Sequence, residues 1–244
     1  MVRAIMIAMF AGCGFHPAII DGDPGSEPGA GDEGGVFKDA GIAISAVQTA
    51  ATTAGGSHMS DSATLAMPQT ANNLIIVVAS WAGGVAGATC ADSAGNIYLQ
   101  LFPPTANGGV VQASFFAQGI RAMPADTVTV TLTSNQNNIS LRVIEYAGIA
   151  PTGVLDASSI GTGTGVTASS GQVQTTHAHE LLFGASTNSN SANGVGPGFT
   201  ERLLYAGDVL EDAEAFSLGQ YTATVDEGTS QAWIMMLATF RAKS

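Results

Sequence analysis

The sequence is short of charge, and above all of positive charge. Lys and Arg together number 7, and charged residues make up 11% of the 244 positions, against about a quarter in ordinary domains. The basic residues are scattered, which excludes a surface built to neutralise a phosphate backbone, so no nucleic-acid partner is expected. Helices laced by ion pairs are excluded on the same ground. Aromatic residues are 7% and cysteines only 2, too few for a disulfide framework. Short catalytic signatures are missing as well. There is no G-x-S-x-G and no H-E-x-x-H. The Glu-x-Asp-x-Glu of some sandwich glycosidases is also absent.

What the chain does have is glycine, 31 residues of it, and an apolar fraction of 45%, enough to build a core. The first apolar run, Ala4–Ala11, is too short to span a bilayer, which takes about 20 residues. It fits the low end of a signal-peptide core, about 7–15 residues. Phe10-Ala11-Gly12-Cys13 then resembles the lipobox of bacterial lipoproteins, although Phe10 stands where Leu is usual. That resemblance implies cleavage before Cys13, acylation of its thiol by a palmitate-type chain and retention at a membrane. Residues 1–12 are therefore expected to be a leader and residues 13–40 a tether. Asp21, Asp23, Glu27, Asp32 and Glu33 fall in that stretch with three prolines and little apolar surface. Such a segment cannot offset ordering entropy by burial. Asp21-Gly22-Asp23 lacks the spacing of an EF-hand loop.

From residue 41 to 244 the pattern has period 2. Leu74–Trp81 is a β-branched run that reads as a central strand. In Thr127–Thr133, Val128, Val130 and Leu132 share one face. In Ile139–Tyr146, Ile139, Leu141, Val143 and Glu145 share one face, while Ser140, Arg142, Ile144 and Tyr146 share the other. Further strands are expected at 42–47, 62–67, 87–91, 97–102 and 110–118. Others fall at 172–176, 180–185, 199–205, 214–225 and 232–240. Asp92–Asn96 reads as a turn. About twelve strands, no helix and no internal breakpoint predict an all-β fold, an antiparallel jelly-roll-like β-sandwich.

NLIIVVASWAG (73–83), DSAGNIY (92–98), SLRVIEYAG (140–148), LDASSIGTGTG (155–165), ELLFGAST (180–187) and AWIMMLATFR (232–241) carry a further resemblance. In their order they resemble a β-sandwich domain frequent in secreted and lipid-anchored bacterial proteins, especially of myxobacteria. The resemblance implies export and a sandwich. It implies no catalytic residue.

Candidate functional residues follow from chemistry. Cys13 is the expected lipid attachment point, which leaves Cys90 as a lone thiol and small core filler. His177 and His179 are the candidate metal ligands. On a regular strand they would share one face about 6.5–7 Å apart, with Glu180 facing away. Asp208, Glu211, Asp212 and Glu214 read as a solvated acidic loop, and calcium is the cofactor the sequence leaves room for. Glu145 is the candidate buried acid. Trp81, Trp233, Tyr205, Asn137 and Asn190 are candidate contacts for a saccharide. The expected role is a non-catalytic binding module of the bacterial cell envelope, lipid-anchored at the outer membrane or cell surface, with glycans as partners. The alternatives are a structural or adhesive surface protein and a carbohydrate-active enzyme. Replacing Cys13 by Ala should abolish incorporation of radiolabelled palmitate and release the protein from membranes. Labelling that survives C13A would contradict the anchor.

Overall fold

A computed structural model describes residues 42–244. The expected leader, lipobox Cys13 and tether lie outside the described residues. Every element is a strand: β1 (Ser45–Leu65), β2 (Leu74–Ala82), β3 (Ala88–Asp92), β4 (Leu99–Asn107), β5 (Val110–Gln118), β6 (Asp126–Ala147) and β7 (Leu155–Ser169). There follow β8 (Val173–Gln174), β9 (Glu180–Asn188), β10 (Gly194–Val195), β11 (Thr200–Tyr205), β12 (Asp208–Ala215), β13 (Gln220–Tyr221) and β14 (Thr224–Arg241). One sheet runs β1–β6–β2–β5–β4, with β3 also on β6. The other runs β10–β14–β9–β12–β11, with β7 also on β14, and β13–β8 form a separate ribbon. The protein is an all-β antiparallel sandwich in which each sheet is drawn from one half of the chain.

Alternation decides which side chains meet. Leu74, Ile76 and Val78 of β2, Phe116 of β5, and Ile144 and Tyr146 of β6 pack against Leu181, Phe183, Ala185, Met236, Ala238 and Phe240 of the opposite sheet. Phe116 meets Phe240 edge-on with centroids 5.6 Å apart, and Tyr146 meets Phe183 likewise at 6.2 Å, a favoured aromatic geometry. The odd-numbered residues of β2 and β5 point the other way. Ile75, Val77, Trp81 and Phe115 pack with Val128, Val130, Leu132, Ala63 and Leu65. The first half of β6, with the second half of β1 and with β3, thus closes over the outer face of the first sheet. A third cluster, including Leu182, Val209, Val225, Met235 and Leu237, covers the outer face of the second sheet. Leu74–Trp81 is buried on both faces, which is why it reads as an unbroken apolar run.

Several expected strands join into longer ones. The 42–47 and 62–67 segments belong to β1, which pairs with β6 along most of its length through bulges at Ala54/Ser57 and His58/Ser60. The 127–133 and 139–146 segments are two ends of β6. Bulges and the polar Asn135–Asn138 stretch bend these strands without ending them. The Asp92–Asn96 turn forms, with Asn96 N–H donating to Asp92 Oδ1 at 2.9 Å. The strands on either side of it pair with β6 and β5 and not with each other. Gly161–Gly165 lies within β7, where Gly163 makes room for the Trp233 ring. Residues 208–215 are not a solvated loop. They form β12, with Asp208, Glu211 and Asp212 buried and only Glu214 well exposed. Four acids within seven residues masked a strand whose inner neighbours, Val209 and Leu210, are wholly buried.

Candidate functional site

The space between the sheets has an apolar end and a polar end. At the polar end lies Arg142, fully buried on β6. Its Nη2 is 3.2 Å from Asp208 Oδ2 on β12. It also donates to the Ser186 carbonyl at 2.6 Å and to Thr187 Oγ1 at 2.7 Å. Asp208 further accepts from Ser80 Oγ at 3.0 Å and from the Asn188 N–H at 3.1 Å. Burial works against both charges, holding Asp208 above the usual carboxylate range and Arg142 below its own ordinary value. Gln112, paired with Ser80 across β2–β5, and Ser114 have buried polar side-chain atoms without a protein partner.

This polar layer opens into a pocket of about 230 Å³. Trp81, Ser140, Asn138, Asn188, Asn190 and Asp208 are among the side chains that line it. Two of its lining residues, Asn138 and Ala206, hold φ of 51° and 52°. Positive φ at a non-glycine residue carries strain, and such strain gathers at ligand sites. Ala206 and Gly207 are the central pair of the tight β11–β12 turn, both at positive φ as a type I′ turn requires. Gly207 accepts from Ala192 N–H at 2.8 Å and from Asn188 Nδ2 at 2.9 Å, which pins the 188–192 segment to the rim.

A second cluster stands at the start of β9. His177 Nδ1 is 3.4 Å from Asp156 Oδ1 and 3.3 Å from Glu180 Oε1. One donor atom from each of the three lies within 4.8 Å of the others. The cluster can coordinate a divalent ion. Thr176 holds Asp156 through its N–H, 2.6 Å from Oδ2, and through its hydroxyl on Oδ1. Burial pushes the Asp156 carboxyl up, but the hydrogen bonds from Thr176, with Glu180 and His177 beside it, hold it below its usual value on balance. Burial pushes Glu180 up to about 7, with Thr239 opposing and Asp156 reinforcing the shift.

The sequence-predicted residues divide between these places. Trp81 and Asn190 meet at the polar pocket. The Trp81 ring is 2% exposed and its Nε1–H is held by the Gly84 carbonyl at 2.9 Å, so it is wall and not platform. Asn138, beside the expected Asn137, reaches the pocket, whereas Asn137 faces solvent. Tyr205 sits at the end of β11, next to the lining Ala206. Trp233 lies on β14 against Gly163, away from the pocket. His177 and His179 do not share a strand face, because the strand starts only at Glu180. Glu180 turns toward His177 instead of away from it, and His179 pairs with Glu214 at 2.8 Å while stacking on Phe216. Glu145 is buried as expected. It is fully engaged by Gln48 Nε2 (2.6 Å), Asn73 Nδ2 (2.7 Å) and the Thr70 N–H (3.2 Å), so it is a structural acid. Cys90 is half-buried on β3, and burial, then Asp92 and Asp126, push its thiol up, which leaves it a poor nucleophile.

Comparisons with family models, with curated proteins and with solved structures return no match for this chain. The reading of the sites therefore rests on their own geometry.

Glu211 gives a measurable property of this sheet. It is wholly buried opposite Gly184, and burial pushes its carboxyl up to about 8, the Gly196 N–H only partly opposing. Between the ordinary value of 4.5 and about 8 the folded state holds a proton that the unfolded state has released. Stability therefore falls as pH rises through that window. The melting temperature should drop from pH 5 to pH 8, and Glu211→Gln should flatten that drop. An unchanged slope in E211Q would remove Glu211 as its source.

Proposed function

We propose that this is a lipid-anchored protein of the bacterial cell envelope whose sandwich domain acts as a non-catalytic binding module for a glycan. The observation that carries the binding reading is the polar pocket at the open end of the inter-sheet layer. Its walls offer the side-chain amides of Asn138 and Asn190 and the Ser140 hydroxyl, groups that pair with sugar hydroxyls. Its volume of about 230 Å³ is below the roughly 300–1,000 Å³ of drug-sized pockets, which suits one ring of a longer saccharide. The strained Asn138 and Ala206 support a site held ready for a ligand.

Catalysis is not part of this reading. The pocket carboxylate, Asp208, is committed to Arg142, Ser80 and Asn188. Glycoside hydrolysis takes two carboxyl groups about 5–9.5 Å apart across the bond, and the other side chains named at this pocket are neutral. The anchor, the envelope location and the membrane as partner rest on the lipobox resemblance at Cys13 and on the acidic stretch after it.

A glycan array probed with the purified chain tests the pocket. Binding to a neutral saccharide is expected. Asn190→Ala should weaken it about tenfold, the loss of one or two hydrogen bonds. Asn138→Gly, which keeps the positive φ and removes the amide, should weaken it similarly, and Asn137→Ala should leave it unchanged. A chain that binds no saccharide, or binding indifferent to Asn138 and Asn190, would sink the proposal.

A further inference from the structure

The cluster at the start of β9 sits away from the polar pocket and has a chemistry of its own. Asp156 comes from β7 and Glu180 from the first position of β9, with β14 lying between those strands. His177 comes from the bend just before β9. We propose that Asp156, His177 and Glu180 bind one divalent transition ion of the zinc type, with a fourth position open to solvent.

Three observations carry the assignment. The first is spacing. Ligands about 2.0–2.1 Å from a tetrahedral ion lie about 3.3–3.4 Å from one another. The two distances from His177 Nδ1, 3.4 Å to Asp156 and 3.3 Å to Glu180, have that length, the third pair lies within 4.8 Å, and the Thr176 hydroxyl, 3.1 Å from Nδ1, would give way to the ion. An octahedral ion with bonds of the same length, such as magnesium, needs neighbouring ligands only about 2.9 Å apart. The second is the unmatched carboxylate. The Glu180 side chain is 0% exposed, and its oxygens, which lie near Thr239 and Asp156, make no hydrogen bond of ordinary geometry. A buried carboxylate aimed at an imidazole nitrogen, beside a second carboxylate, calls for a cation. The third is the support behind Asp156. The N–H and hydroxyl of Thr176 fix both of its oxygens, as outer-shell donors orient metal-binding carboxylates.

The donor set decides between ions. Calcium prefers all-oxygen cages, whereas one imidazole with two carboxylates suits zinc and its neighbours. The calcium expected from sequence is therefore not the ion this cluster selects. The His177 side chain is 45% exposed, which gives the ion a path in and the fourth position a water. Bound there, the ion would tie the 176–180 segment to β7 on the far side of β14.

Titration of the full-length, metal-stripped chain with Zn²⁺ and with Co²⁺ tests the site. One Co²⁺ per chain should develop the strong visible absorption of a four-coordinate ion, and saturating Zn²⁺ should raise the melting temperature. His177→Ala and Asp156→Asn should each weaken Zn²⁺ binding by about tenfold or more. His179→Ala should leave it unchanged, since His179 is engaged with Glu214. His177 is exposed, so H177A leaves the core intact and its effect reports on the ion. No bound ion, a six-coordinate Co²⁺ spectrum, or uptake that H177A does not weaken would each overturn the assignment.

Discussion

A guanidinium with no access to water has to be matched where it stands, and in this protein that requirement fixes how two sheets face each other. Arg142 projects from β6 into the layer between them, where Asp208, Thr187 and the Ser186 carbonyl meet it. Among the described residues this is the one ion pair that bridges the two sheets. A slip of one residue along β6 would turn Arg142 into the apolar cluster of Ile75, Val77 and Leu141. Its charge would then be buried without a partner. The pair also places Asp208 and the β11–β12 turn, and with them the strained rim at Ala206.

Away from that pair the layer is mostly apolar, closed by the two edge-on aromatic contacts and by the Tyr146 hydroxyl, which donates to Asp212 Oδ2 at 2.7 Å. Its strands are apolar on their outer faces too, so a plain two-layer sandwich would leave Val77, Phe115 and Met235 in water. Long strands solve this for the first sheet. β1 and β6 cross its inner layer and then turn back over its outer face, carrying Val128, Val130 and Leu132. The second sheet is covered by shorter pieces, including Val173 and Ala223. Several of its buried polar groups, Glu211 and the hydrogen-bonded trio Ser186, Glu227 and Gln231, lie on that same side. The two candidate sites sit apart on this frame, one at the open polar end between sheets and one where β7, β14 and β9 lie side by side.

The sequence was most informative where period 2 was unbroken. The split of Ile139–Tyr146 into an apolar face and a face bearing Arg142 is the observed one, and the neighbours Phe115 and Phe116 fall in opposite clusters as a strand requires. It was least informative where polarity and burial part company. Glu211 and Asp212 are buried because Gly184 opposite one, and Tyr146 and Arg202 beside the other, receive them. Gly184 and Tyr146 lie far off in sequence, and Arg202 arrives across the β11–β12 hairpin. The same distance hid the cluster of Asp156, His177 and Glu180. His177 and Glu180 are local, but Asp156 arrives from β7 through pairing that no spacing rule records. The pocket was half visible. Asn190 and Trp81 carry a signal in their residue types, whereas Asn188 and Asp208 reach the site only through the register of β9 on β12.

A double-mutant cycle across the sheets weighs the central pair most directly. Arg142→Met, Asp208→Asn and the double variant would be compared by urea unfolding. Each single change should cost about 3–5 kcal/mol, because it strands a buried charge. The double variant should cost clearly less than the sum, a coupling of about 2 kcal/mol or more. Additive losses would contradict the account, since Arg142 and Asp208 would then be buried side by side without holding the sheets in register.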